Sequence, residues 1–329
     1  MSLNDSSLIS GAISGADVGP VIAAGIVGWR MIDDVLTVLI ITRGDRADVS
    51  LPKGKVDPGE TPTEAAVRET REETGLAVGL GAPLGTTSYT MPGGREKLVY
   101  YWVAQVSPEA VEASTFVATA EVAAVHWLPI AEARAALSYA RDREVLDRFA
   151  ERVATDTHRT YAVISLRHGK AVAPGSWNGP DASRPLERSG TAQAQSSARA
   201  IAAYRPTKLI SSTAVRCIAT IDPLSVLSGL SVKTTDAISQ DAHEAGLSKV
   251  HRVVGKRIAK RETAVLCSHG PVLPEIVDEL FRAASKVPPN GPRRARTLNV
   301  GEFSVVHLAR SATPPLIVAV EVHSPVISN

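Results

Sequence analysis

The chain has 329 residues, 44% of them apolar and 21% charged, with a formal net charge of +2. That length suggests two domains of roughly 100–200 residues, each long enough to bury a core of its own. The near-neutral balance argues against a general surface for a nucleic acid polymer or a membrane, and no run approaches the ~18 apolar residues of a membrane span.

The start, Met1 to Asp17, is rich in Ser, Gly and Asp and lacks a charged front and a long apolar stretch. It reads as a flexible tail rather than a secretory signal. Cys217 and Cys267 are too few for a disulfide framework, and both lie in apolar runs. Buried free thiols and a cytoplasmic protein are expected.

A first domain is expected over residues 18–153. Its first two strands cover Val21–Val27 and Leu36–Ile41, joined by a turn near Asp33-Asp34. Leu51 to Gly59 is a Pro/Gly-punctuated loop. A helix over Thr61–Thr74 has clear ends: Thr61 as N-cap, Pro62 in the first turn, Glu64 completing a capping box and Gly75 as the left-handed stop. Strands follow around Leu84–Tyr89, Lys97–Gln105 and Ala123–Leu128, then helical spacing from Pro129 to Arg152. The polar stretch 154–159 reads as a linker.

The second domain, expected over 160–329, opens with the apolar strand Thr160–Leu166. A loop to Pro185 and a helix from about Ser189 to Ala203 follow. Next come a strand (Lys208–Ser211), a helix from Ala214, a weaker region to Gly246 and a helix over Leu247–Ala259. The strand Thr263–Cys267 and a helix near Leu273–Ala284 end the regular pattern, and Pro288–Arg296 reads as a surface loop. Strands alternating with helices indicate a mainly parallel sheet covered on both faces.

Chemistry concentrates in two places. Glu69, Glu72 and Glu73 are spaced i, i+3, i+4 and so share one helix face. Three carboxylates within one turn repel one another, and a divalent cation removes that cost; oxygen ligands in this number suit Mg²⁺ or Mn²⁺ shared with substrate phosphates. Taken alone, the same residues read as a solvated acidic face paired with Arg68 and Arg71. Lys53 and Lys55 add positive charge beside them, as metal-bound phosphate requires.

The full spacing, Gly54, Glu60, Arg68-Glu69, Glu72-Glu73 and Gly75-Leu76, resembles the Nudix box. One position departs: Thr70 stands where that family has a bulky aliphatic residue, so looser packing behind the helix is expected. The resemblance implies an α/β/α sandwich around a mixed sheet and hydrolysis of nucleoside polyphosphates. It implies Glu69, Glu72, Glu73 and the Gly54 carbonyl as metal ligands, with Glu72 or Glu73 also helping to activate water. Glu60 and Arg68 would form the ion pair that fixes loop to helix. Glu121 lies where many members carry a further acidic ligand or base. Leu51-Pro52-Lys53-Gly54-Lys55 and the strand Lys97–Trp102 resemble dinucleoside and inositol polyphosphate hydrolases, and aromatics in that strand are either base-stacking or core. The two-domain layout resembles actinobacterial MutT-type enzymes, which remove oxidised guanine nucleotides such as 8-oxo-dGTP; no residue identifies the base.

Leu166-Arg167-His168-Gly169, Ser211–Cys217 with Arg216, and Cys267-Ser268-His269-Gly270 each follow a strand end. In a parallel sheet those ends form one ligand-binding edge. His168 is suited to attack phosphorus, Arg167 and Arg216 to grip phosphoryl oxygens, and His269 to stabilise the transferring group. The segment resembles the histidine phosphatase superfamily, and Arg184-Pro185-Leu186 with Gly190 is similar to its short phosphohistidine phosphatase branch. No clear general acid stands between Arg216 and His269, although Asp236, Asp241 and Glu244 are there.

The expectation is therefore a Mg²⁺-dependent hydrolase of oxidised purine nucleotides, with diadenosine polyphosphates as further substrates. Two alternatives stay open. One is a phosphohistidine phosphatase with a nucleotide-sensing Nudix domain. The other makes the second domain a docking module that binds a partner; self-association through that domain is a separate expectation. Arg293, Arg294 and Arg296 read first as a solvated basic loop, then as a contact for a neighbouring subunit or a phosphate.

Overall fold

A computed structural model describes residues 19–44, 48–285 and 291–327. The expected tail, 1–17, and the start of the expected loop, 288–290, lie outside the described residues. The chain divides into two compact units between Arg159 and Thr160.

In the first unit, β1 (Val21–Ile32) and β2 (Val35–Arg43) form a hairpin closed by Asp33 and Asp34. Both aspartates have φ > 0, as a two-residue turn matched to strand twist demands. β3 (Val49–Ser50) and β4 (Lys53–Lys55) flank the loop that leads to α1 (Pro62–Thr74). Then come β5 (Pro83–Thr90), β6 (Glu96–Gln105), α2 (Pro108–Glu112) and β7 (Val122–Pro129). The helical stretch expected from 129 to 152 is two helices, α3 (Ile130–Ala136) and α4 (Ala140–Ala154). The break at Leu137–Tyr139 has extended backbone and packs Leu137 into the core while Ser138 bonds Val49. The sheet order is β3-β2-β1-β6-β5, with β4 on β1 and β7 on β2. Among the described strands, β1 and β6 pair in parallel and the other pairs are antiparallel, so the sheet is mixed. Ala23, Val27, Trp29, Val38 and Ile40 pack with Val145, Leu146 and Phe149 of α4. The alternate residues Ala24, Ile26, Leu39 and Ile41 are equally buried, so both faces are covered.

The second unit contains β8 (Thr160–Arg167), α5 (Arg188–Ala202), β9 (Lys208–Ser211) and α6 (Val215–Ser228). It continues with β10 (Val232–Thr234), α7 (Gln240–Glu244), α8 (Val250–Lys260), β11 (Ala264–Ser268) and α9 (Leu273–Ala283). Where a loop was expected, 291–296 form a short helix, α10 (Gly291–Arg296). Arg294 pairs with both oxygens of Glu302 at 2.7 Å and Arg296 with Asp278. Those bonds oppose a solvated loop; Arg293 is exposed. Two strands that the sequence reading did not reach, β12 (Phe303–Ala309) and β13 (Ile317–His323), complete the sheet. Its order is β10-β9-β11-β8-β12-β13, parallel from β10 to β8 and antiparallel across β12 and β13.

Candidate active sites

The first site is organised by α1. Thr61 Oγ1 accepts the Glu64 amide and Glu64 Oε2 accepts the Thr61 amide at 3.0 Å, closing the capping box. Gly75 ends the helix at φ 68°. Thr70 is fully buried, and its hydroxyl bonds the Ala66 carbonyl at 2.7 Å. A polar side chain is thereby satisfied within the helix where an aliphatic one was expected.

Glu69 faces β4. A Cβ on Gly54 would lie 1.9 Å from the Glu69 carboxyl carbon, so only glycine permits this approach. Burial raises the pKa of Glu69 against the opposing Arg68. Glu73 is nearly buried and accepts the Lys53 amide at 2.8 Å. Burial pushes its pKa up to about 8, with Lys53 opposing. Glu72 is exposed and pairs with Arg68 at 2.8 Å. Arg68 also grips both oxygens of Glu60 at 2.9 and 2.8 Å, Glu69 at 2.9 Å and the Lys55 carbonyl at 2.9 Å. One guanidinium thus ties the loop to the helix and shields two of its carboxylates. Glu121 is exposed, 3.6 Å from Arg43, and its charge is felt at Glu69 and Glu73.

The lysines divide. Lys55 is exposed. Lys53 turns inward, with its ammonium 3.1 Å from the Leu51 carbonyl and 3.6 Å from the buried Asp142. In this arrangement it orders the loop and does not face solvent. Tyr101 and Trp102 are fully buried, which makes them core rather than base-stacking residues. Two basic features escaped the sequence reading. Lys97 has its pKa lowered by burial and by Lys53 and Arg43, with Glu69 opposing. Arg141 stacks on Tyr89 and Tyr139, 3.9 and 4.0 Å from their ring centroids. Tyr89 lies opposite Lys97 in the β5–β6 ladder. Neither has a local motif: the register of β6 brings Lys97 within the field of Glu69, and the packing of α4 brings Arg141 onto Tyr89.

Among the described residues, no three His, Cys, Asp or Glu side chains are gathered as a metal-holding group. The donor set nevertheless fits a hard divalent cation. Glu73 is buried and Glu69 half-buried, both with raised pKa values, and the glycine at 54 leaves room for the Glu69 carboxylate.

The second site lies at the carboxyl ends of β8, β9 and β11. The His168 amide bonds the Ser268 carbonyl at 3.1 Å and the Ser212 amide that of Cys267 at 3.0 Å, which aligns the three ends. His168 Nδ1 is 2.8 Å from the Gly169 carbonyl. A carbonyl only accepts, so Nδ1 carries the proton and Nε2 the lone pair. His269 Nδ1 is 3.1 Å from Arg216 Nη2, a pure donor, so this imidazole carries its proton on Nε2, 2.9 Å from Ser212 Oγ. The two rings are 5.3 Å apart. Burial, reinforced by Arg216, lowers the pKa of His168 to about 4 and of His269 to about 3. Both are neutral at pH 7.

Arg216 is fully buried. Arg167 bonds the Leu298 carbonyl at 2.6 Å, and burial lowers its pKa. The Nε donors of Arg167 and Arg216 are buried with no acceptor among the described residues. Buried donors of this kind suit an incoming phosphoryl oxygen. Of the three acids singled out in the sequence, Asp236 accepts from Thr213 and Glu244 accepts at 2.8 Å from Gln240, which itself accepts from Arg216 at 3.3 Å. The carboxylate bonded into the cluster is Asp181, which with Arg184 comes from upstream of the stretch searched.

Comparison with known proteins follows the same division. The NUDIX domain family matches residues 20–149 and the histidine phosphatase superfamily (branch 1) matches residues 163–240. An 8-oxo-(d)GTP phosphatase of Mycolicibacterium smegmatis is 34% identical over 290 residues, covering 84% of this chain and 85% of its own. A mouse bis(5'-nucleosyl)-tetraphosphatase (asymmetrical) is 39% identical over 89 residues, 25% of this chain and 56% of its own. The crystal structure of a C. elegans Ap4A hydrolase binary complex matches 41% of this chain and 98% of its own, with 28% identity and a TM-score of 0.35. With a relative this similar along both units, the chain belongs to the Nudix hydrolases, in the form that carries a C-terminal histidine phosphatase superfamily domain.

Proposed function

We propose that the first domain hydrolyses oxidised purine nucleoside triphosphates, 8-oxo-dGTP and 8-oxo-GTP, with Mg²⁺, and that diadenosine polyphosphates are further substrates. The observation that carries this reading is the approach of Glu69 to Gly54 beside the buried Glu73, on a helix anchored by Arg68. Relatives named for 8-oxo-(d)GTP and for dinucleoside tetraphosphates support the substrate class. Glu69, Glu72, Glu73 and the Gly54 carbonyl would hold the cation, with Glu121 nearby. Mg²⁺ there supplies Lewis-acid polarisation of the phosphate and a lowered pKa for water. Glu72 accepts from Arg68 through one oxygen, and Glu73 accepts the Lys53 amide through one oxygen. Their remaining oxygens can take the proton of the attacking water. Lys55 and Lys97 offset substrate charge, while Lys53 holds the loop. The buried free thiols Cys217 and Cys267 fit a reducing compartment, which we take as the cytoplasm. No described helix is long and apolar enough to cross a membrane.

The neutral, tautomerically fixed His168 supports a second activity, phosphoryl transfer to its Nε2 with release of the leaving oxygen and later hydrolysis by water. The test is a product assay on 8-oxo-dGTP, dGTP and diadenosine tetraphosphate, with wild type, Glu73→Gln and His168→Ala. Preference for the oxidised nucleotide, lost in Glu73→Gln, is expected. No nucleotide turnover by wild type would overturn the reading, and phosphohistidine proteins would become the next substrates.

A further inference from the structure

Between β8 and α5 the chain makes a strap over residues 171–186. Its base is fastened by a bridge between Ala171 and Leu186, by the Val172 amide on the Pro185 carbonyl at 3.0 Å and by the Glu187 amide on the Lys170 carbonyl at 2.8 Å. Its outer part folds on itself: Trp177 Nε1 donates to Ser183 Oγ, which donates to the Pro180 carbonyl. Loops of this length with joined ends are stable local units.

The strap sends one anion into the second site. Asp181 Oδ2 accepts from Arg216 Nη2 at 2.8 Å, and the Asp181 carbonyl accepts from Arg216 Nη1 at 2.7 Å. Its other oxygen, Oδ1, accepts from Arg184 Nε at 2.7 Å. A planar carboxylate bridging two guanidinium groups uses the same donors that a phosphoryl group uses. Arg216 also touches His269, and Arg184 is close enough to depress the pKa of both His168 and His269. Asp181 itself is two-fifths exposed at its side chain, whereas Arg216 is fully buried. Burial opposes the Asp181 charge, but Arg184 and Arg216 together hold its pKa below the ordinary value. That does not suit a proton donor in this state; it suits a counter-ion.

We propose that Asp181 is an internal anion that occupies the phosphoryl-binding arginines of the second domain, and that a phosphate group enters by displacing its carboxylate from Arg216 and Arg184. Arg184 is then a phosphate ligand of this site, released by the same exchange. The strap is a gate whose closed state is held by two hydrogen bonds from Arg216 to Asp181, while the Asp181–Arg184 pair lies within the strap itself. A phosphate dianion carries more charge than the carboxylate and makes the exchange favourable once both are bonded equally.

Inorganic phosphate is titrated into the full-length protein without divalent cations. Binding is followed at the His168 imidazole by NMR, with the resonance assigned from His168→Ala, so that phosphate at the first domain is not read. Removing the competing charge in Asp181→Asn should tighten phosphate binding about tenfold, and Asp181→Ala should act in the same direction. Adding Arg184→Gln to Asp181→Asn should abolish the gain. In wild type, saturating phosphate should speed amide exchange in 172–187. Unchanged or weaker binding in a folded Asp181→Asn or Asp181→Ala, or a strap more protected with phosphate, overturns the proposal. If both variants unfold, the wild-type exchange result decides alone.

Discussion

Gly54 and Glu69 show how one missing methyl group sets a site. The Glu69 carboxylate lies where a Cβ on residue 54 would be, at 1.9–2.2 Å. Gly54→Ala must push either the loop or the carboxylate away. A displacement of about 1 Å at a positioned group costs about 10²-fold in rate, so kcat/KM of Gly54→Ala on the preferred nucleotide should fall at least that far while the fold persists. A wild-type rate in a variant shown by circular dichroism to be folded would contradict this. At the same scale, Arg68 replaces several separate contacts: one planar group serves Glu60, Glu69, Glu72 and a carbonyl. A lysine has no fork to do this.

The helix α1 depends on its ends as much as on its faces. Thr61 and Glu64 satisfy each other's amides, and Thr61 is buried. Thr61→Ala removes the cap and should cost about 1 kcal/mol. Because the chain has two units, a single melting curve is a poor measure of one helix. Faster hydrogen exchange confined to the amides of the first turn of α1 is the expected result; no change there would show the cap to be dispensable. The same end bears on the proposed metal site, since Glu69, Glu72 and Glu73 keep their common face only while the helix holds.

In the second unit, acid sensitivity comes from groups buried on β12 and β13 and from the two histidines that follow β8 and β11. Glu321 is fully buried and bonded by His307 at 2.7 Å and Tyr204 at 3.0 Å, with His323 at 3.5 Å. Burial alone would raise its pKa, but His307 and His323 hold it well below the ordinary range. His168 and His269 are depressed, to about 4 and about 3. For a depressed histidine the unfolded state binds the proton first, so stability falls as pH drops from 6.5 towards those values. For a depressed carboxylate, stability is complete above 4.5 and is lost as pH falls through the lower folded value. Both signs agree: the second unit should loosen progressively below about pH 6.5 and more steeply below about pH 4.5. Glu321→Gln should destabilise it by about 3 kcal/mol at pH 7 and flatten the lower limb. Exchange of β12 and β13 amides against pH measures both; an unchanged profile in the variant would remove Glu321 from the account.

Along the chain, the local order of chemistry was legible. The glycines, capping box and glutamate spacing of α1 lie within 22 consecutive positions, from Gly54 to Gly75, and helix geometry converts such spacing directly into a shared face. The alternation of strand and helix likewise exposed the β8, β9 and β11 ends that gather His168, Arg216 and His269. The β12–β13 pair, the broken α3–α4 segment and the inward turn of Lys53 were not legible, because distant partners decide them: Leu166 and Ser165 for β12, the core for Leu137, Asp142 for Lys53. Asp181, Lys97 and Arg141 were missed for the same reason. The sequence by itself determined the shared face of Glu69, Glu72 and Glu73 and the strand ends that carry His168 and His269, since short-range periodicity encodes such placement. Only the tertiary structure decided which charges meet, because strand register and loop closure join residues with no spacing signal between them.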